Sequence, residues 1–155
     1  MNKRSLIFVL AGLVLIVGLA FLPRTQSVKE EVVQEPSSNN KVEEAVRLVQ
    51  EGDNPMEGVM MLREILEEDP DNLDAIYAMG MLSMQSGQYE KAVQRFTRII
   101  ELAPDQIETY RLRGDAYFLF KDIENAKKDY LRFIESSDNE KSVEEVKQRL
   151  TQLNE

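Results

Sequence analysis

Residues 72–106 read NLDAIYAMGMLSMQSGQYEKAVQRFTRIIELAPDQ, and four positions inside this stretch decide the fold: Gly80, Ala92, Phe96 and Pro104. Thirty-four positions later the pattern returns as Gly114, Ala126 and Tyr130, with Asp138 where a proline would stand. Thirty-four positions earlier it is fainter, as Val46, Gly58, Leu62 and Pro70. A period of this size, with small and large residues in phase, marks a stacked array of helical pairs.

The spacing places each residue within its pair. In the central unit Asp71 or Asn72 caps a helix whose Ile76, Met79, Gly80 and Leu82 face inward, and Gly87 closes it. A second helix, from about Tyr89 to Leu102, presents Ala92, Phe96, Ile99 and Ile100 on one face and is ended by Pro104. Two helices pack closely only where neither carries a bulky side chain. Gly80 and Ala92 are those positions, and Phe96 fills the space beside them.

In the first unit Asn40 is the expected cap, with Glu43 completing a capping box. Val42, Ala45, Val46 and Val49 follow at helical spacing, and Gly52 is the expected left-handed stop. Pro55 suits the first turn of the partner helix, Val59, Leu62, Ile65 and Leu66 form its stripe, and Pro70 ends it. The third unit has Tyr110, Gly114, Tyr117, Ile123, Ala126, Tyr130 and Phe133 in the same phase. Lys121 stands where Gly87 stood, so a left-handed residue there would carry about 1 kcal/mol of strain. Beyond it, Asn139 or Ser142 caps a last helix, and Val143, Val146, Leu150 and Leu153 give it an apolar stripe suited to covering the third pair.

Outside the array the chain changes character. Residues 6–22 are seventeen consecutive residues without a charge, preceded by Lys3-Arg4 and ended by Pro23-Arg24. As a helix the run would span roughly 25 Å, close to the apolar thickness of a bilayer. We read residues 1–23 as an uncleaved transmembrane signal-anchor. The alternative is a cleaved signal peptide, for which Gly18-Leu19-Ala20 is the only small-x-small site. Lys3, Arg4 and the amino terminus favour an N-in, single-pass orientation, with the repeats outside the cytosol. In a bacterium that is the inner membrane facing the periplasm. Residues 24–40 are polar around one pair, Val32-Val33, and are expected to form a disordered linker.

Charge and composition exclude several functions. Removing Lys3 and Arg4 from the 19 basic residues leaves 17 against 28 acidic, a count of −11. Phosphate neutralisation needs a basic surface, so no nucleic-acid partner is expected. The chain has no cysteine and no histidine, hence no thiolate, imidazole base or zinc–thiolate site. Asp69-Pro70-Asp71-Asn72-Leu73-Asp74 lacks the glycine and closing glutamate of a calcium loop, and repeat phase explains it as a turn and a cap. No phosphate loop or paired-carboxylate arrangement occurs. We expect no enzyme, cofactor, metal or small-molecule substrate.

The residues at 34-position spacing resemble the tetratricopeptide repeat family. Its pattern is matched best by Ile76, Met79, Gly80, Ala92, Phe96 and Pro104. Ser83 replaces a tyrosine, and the third unit departs at Arg113 and Asp138. The resemblance covers residues 39–138, as repeats of about 39–72, 73–106 and 107–138. It implies an all-α solenoid of about three helix pairs (41–138) with a C-terminal capping helix (139–155), preceded by the transmembrane helix.

The resemblance also implies a concave groove that holds a peptide or a partner's helix. Its positions here are Glu43, Arg47, Tyr77, Ala78, Met81, Met84, Arg111, Leu112, Asp115 and Phe118. Of these, Tyr77, Met81, Leu112 and Phe118 would form an apolar strip flanked by Arg47 and Arg111, with Met84 an adaptable contact. Family members that clamp the C-terminal carboxylate of large cytosolic heat-shock chaperones carry lysine, asparagine and arginine at five groove positions. Here those positions hold Glu43, Arg47, Ala78, Glu108 and Leu112, so that clamp is absent. The expected function is a membrane-anchored interaction scaffold or assembly factor with a protein or peptide partner. The alternative is a cleaved, soluble, periplasmic chaperone-like protein.

Overall fold

The periodic apolar stripes become seven helices in the computed structural model, which describes residues 38–153. They are α1 (Ser38–Glu51), α2 (Pro55–Glu68), α3 (Leu73–Gln85), α4 (Tyr89–Leu102), α5 (Ile107–Leu119), α6 (Ile123–Ser136) and α7 (Glu140–Gln152). The segments expected to anchor and link the chain, 1–23 and most of 24–40, lie outside the described residues. Among the described residues no helix is long and apolar enough to cross a membrane.

Consecutive helices form three hairpins, α1–α2, α3–α4 and α5–α6, and each hairpin packs on the next. The apolar core is a row of clusters. Val42, Ala45, Leu62, Ile65, Ala75 and Met79 form the first, and Ile76, Ala92, Phe96, Ile99, Leu112 and Ala116 the second. Ala126, Tyr130, Phe133 and Val146 form the third, with Val143, Leu150 and Leu153 of α7 packed against it. Each cluster draws on neighbouring hairpins, so no hairpin buries its apolar face alone.

Close approach decides the small positions. A Cβ built on Gly80 would lie 2.7 Å from Phe96 Cε1, and one on Gly114 would lie 2.7 Å from Tyr130 Cδ1. The aromatic ring of the second helix thus occupies the space left by the missing side chain of the first. In the α1–α2 hairpin the small residue sits on the other helix: a Cβ on Gly58 would meet the Ala45 carbonyl oxygen at 2.3 Å.

Turn chemistry follows the sequence at most ends. Asn72 Oδ1 accepts from the Ala75 N–H at 3.0 Å, and Asn139 Oδ1 accepts from the Ser142 N–H at 3.1 Å. Gly87 and Lys121 are the two described residues with positive φ, at 71° and 70°. The lysine therefore holds the left-handed turn that the glycine holds one period earlier.

Two expectations fail in α1. Asn40 does not cap it, because the helix already starts at Ser38, inside the segment read as linker. Gly52 follows α1 without positive φ; its N–H still reaches the Leu48 carbonyl at 3.1 Å, so the chain leaves this helix without a left-handed residue.

Candidate partner-binding groove

The first helices of the hairpins, α1, α3 and α5, share one face of the array, and α7 joins them. Arg149 of α7 lies one full period after Asp115 of α5 and donates to its Oδ1. Helix α7 is therefore in phase with the first helices before it. It extends the face as well as covering the core.

Two depressions lie on this face. The first, about 550 Å³, sits between α1 and α3. Its floor is apolar, from Val42, Val46, Val49, Ala78, Met81 and Leu82, and Tyr77 stands 44% exposed at its side. Glu43, Glu51, Asp74 and Arg47 form its charged edge. Arg47 is engaged within its own helix: Nε donates to Glu44 at 3.0 Å and Nη2 at 2.6 Å. These bonds and the Glu44 charge hold the guanidinium above its ordinary range.

The second depression, about 350 Å³, is lined by Met84, Asp115, Phe118, Leu119, Tyr130, Arg149, Gln152 and Leu153. Asp115 is its polar hub. It accepts from Tyr130 Oη at 2.7 Å, from Arg111 Nη1 at 3.0 Å and from Arg149 Nη1. Burial raises the Tyr130 pKa first, and the Asp115 charge and hydrogen bond raise it further, so the phenol stays protonated as a donor.

The expected groove residues divide accordingly. Arg47, Tyr77 and Met81 meet in the first depression, and Met84 and Phe118 meet in the second. Arg111 lines neither; it is held by Asp115 and by Glu108, whose Oε1 accepts from its Nε at 2.6 Å. Leu112 corrects the proposed apolar strip. It is only 7% exposed and belongs to the core around Phe96 and Ile99, because that side of α5 packs against α4. Its counterpart one period earlier, Ala78, is 8% exposed.

The contribution of α7 escapes the sequence reading. Arg149, Gln152 and Leu153 line the second depression, although the 34-residue offset from Asp115 to Arg149 was available as a signal. The exposed run Phe118-Leu119-Phe120 is likewise more apolar than its counterparts Met84-Gln85-Ser86 and Gln50-Glu51-Gly52. Among the described residues no cluster of three acidic groups could hold a metal ion.

Comparison with known proteins agrees with this architecture. A tetratricopeptide repeat profile matches residues 48–116, and a second of the same description matches residues 107–140. The chain belongs to the tetratricopeptide repeat family. No curated protein sequence matches it significantly.

Similar solved structures include the first tetratricopeptide domain of Spaghetti (RPAP3) bound to an HSP90 peptide. It is 20% identical, with a TM-score of 0.61 over 74% of this chain and 93% of that one. The Sgt2 domain from Aspergillus fumigatus is 21% identical, with a TM-score of 0.62 over 77% and 83%. A mutant of MamA is 18% identical, with a TM-score of 0.59 over 70% and 63%. At these identities the likeness is one of fold.

Proposed function

We propose that the chain is an interaction scaffold or assembly factor that binds a peptide or partner helix along the face of α1, α3, α5 and α7. The carrying observation is the pair of apolar depressions there, joined through α3, which contributes Met81 to one and Met84 to the other. Exposed aromatic side chains beside the half-buried Met81 and Met84 suit an adaptable contact with another protein. The RPAP3 domain, of the same fold, binds an HSP90 peptide. The chemistry differs in this chain, where Glu43, Ala78, Glu108 and Leu112 occupy positions a carboxylate clamp would need.

The proposal includes tethering through residues 6–22, with the repeats outside the cytosol and, in a bacterium, in the periplasm. Its basis is the uncharged run behind Lys3-Arg4. Resistance of the full-length chain to alkaline extraction from membranes is the expected result. Release of a shortened, soluble form would overturn the anchor.

For the groove, partner recovery by the full chain is compared with that by Tyr77→Ala plus Phe118→Ala. Both side chains are more than a third exposed, at 44% and 38%, so the variant is expected to fold. Loss of partner recovery is the expected outcome, and unchanged recovery would reject the groove.

A further inference from the structure

Charge is unevenly distributed around the α1–α3 depression. Its floor is apolar, while Glu43 stands midway along α1, Asp74 at the start of α3 and Glu51 at the end of α1. None of the three lies within ion-pair distance of a basic group among the described residues. The one basic side chain at the edge, Arg47, is bonded to Glu44 and also feels the Glu51 charge. The depression therefore offers apolar surface edged by three acids and one arginine, with negative charge in excess.

We infer that this depression takes an amphipathic segment of a partner protein whose apolar stripe is flanked by basic residues. The inference rests on the groove reading above and adds the chemistry of the occupant. Geometry sets the spacing. Glu43 and Glu51 are eight residues apart on one helix, which at 1.5 Å per residue is roughly 12 Å. A helical ligand lying along α1 meets both acids with basic groups about two turns apart, and leucine-sized side chains between them fill the floor.

An acidic ligand of the same apolar pattern would place like charges against Glu43, Asp74 and Glu51, and is disfavoured. The floor contributes attraction by burial, and the rim selects the sign of the ligand's charge.

The test uses the full chain in detergent and two fluorescent helical peptides with the same leucine stripe, one carrying lysines two turns apart and the other glutamates there. The lysine peptide is expected to bind and to weaken as salt rises; the glutamate peptide is expected to bind at least about tenfold more weakly. Reversing the rim with Glu43→Lys plus Asp74→Lys should weaken the lysine peptide about tenfold, at the scale of a few exposed ion pairs.

The control Glu67→Lys plus Glu135→Lys makes the same change in net charge at exposed positions of α2 and α6, and should leave affinity unchanged. Equal weakening by both variants, or equal binding of both peptides, overturns the inference about the occupant while leaving the groove in place. Binding of the lysine peptide that is indifferent to Met81→Asp overturns the groove itself.

Discussion

The α3–α4 and α5–α6 hairpins share one period and one backbone plan, yet they hold themselves together with different chemistry. In α3–α4, Met79 is buried, Ser83 Oγ donates to the Met79 carbonyl at 2.9 Å, and Arg95 Nη1 donates to Ser83 Oγ at 3.0 Å. One period later these positions are Arg113, Tyr117 and Asp129. Arg113 makes two parallel bonds to Asp129, at 2.7 and 2.8 Å, and a third to Thr97 of α4 at 3.1 Å.

The rings of Tyr110 and Tyr117 lie 5.8 Å from the Arg113 guanidinium. Burial works against its charge, but the Asp129 hydrogen bonds and charge outweigh it, and the pKa is raised. Phe96 becomes Tyr130, whose hydroxyl ties the core to Asp115 on the groove face and through it to α7. The period keeps shape and closeness of approach, while polarity changes where every new polar atom finds a partner. Among the described residues no buried side-chain nitrogen or oxygen lacks one.

The largest effect follows from breaking that ion pair. The Arg113 and Asp129 side chains are 17% and 8% exposed, so Asp129→Ala leaves a nearly buried charge uncompensated. It should cost about 3 kcal/mol in urea unfolding. Replacing both, with Arg113→Met as at Met79 and Asp129→Leu, removes the two charges together and should come within about 1 kcal/mol of the parent. A double variant as unstable as the single would show that the ion pair itself, and not only its balance of charge, holds α5–α6.

Gly80→Ala and Gly114→Ala should each cost about 2 kcal/mol by overpacking the ring beside them. The second should cost more, because Tyr130 is held by its hydroxyl bond to Asp115 as well as by packing. Thermal melts of the two variants test that order.

Tyr130→Phe makes α5–α6 resemble α3–α4 at the ring and should cost about 1.5 kcal/mol, since the lost acceptor is charged. The pH dependence has a definite sign. The folded state raises the tyrosine pKa, so this contribution is complete below the ordinary tyrosine value near 10 and is lost as pH rises above it. The parent should therefore lose more stability than Tyr130→Phe in alkaline melts.

The smallest effect has the opposite sign. Lys121→Gly relieves a left-handed φ of 70° and should stabilise by about 1 kcal/mol, as Gly87 already does at the equivalent turn.

Much of the array is legible in the sequence because its determinants are local or periodic. Helix stripes, the Gly87 turn and the placing of Phe96 beside Gly80 follow from spacing, and each of the caps at Asn72 and Asn139 is one of two candidates that spacing leaves. Leu112 was misassigned because periodicity gives a residue's phase around a helix and not how deeply a neighbouring hairpin covers that phase. The Arg113–Asp129 pair reads as a departure from pattern because its members lie on different helices, where helical spacing gives no cue. Arg149 was missed for a third reason: a helix read as a cap hides its place as the next step of the same period.

The most direct test of the account is site-specific photo-crosslinking in the full-length chain. A photoreactive residue placed at Tyr77, on the α1–α3 depression, is compared with one at Lys128, exposed on α6. The account predicts a discrete adduct with a partner protein from position 77 and none from 128. The same adduct from both positions, or from 128 alone, would contradict it.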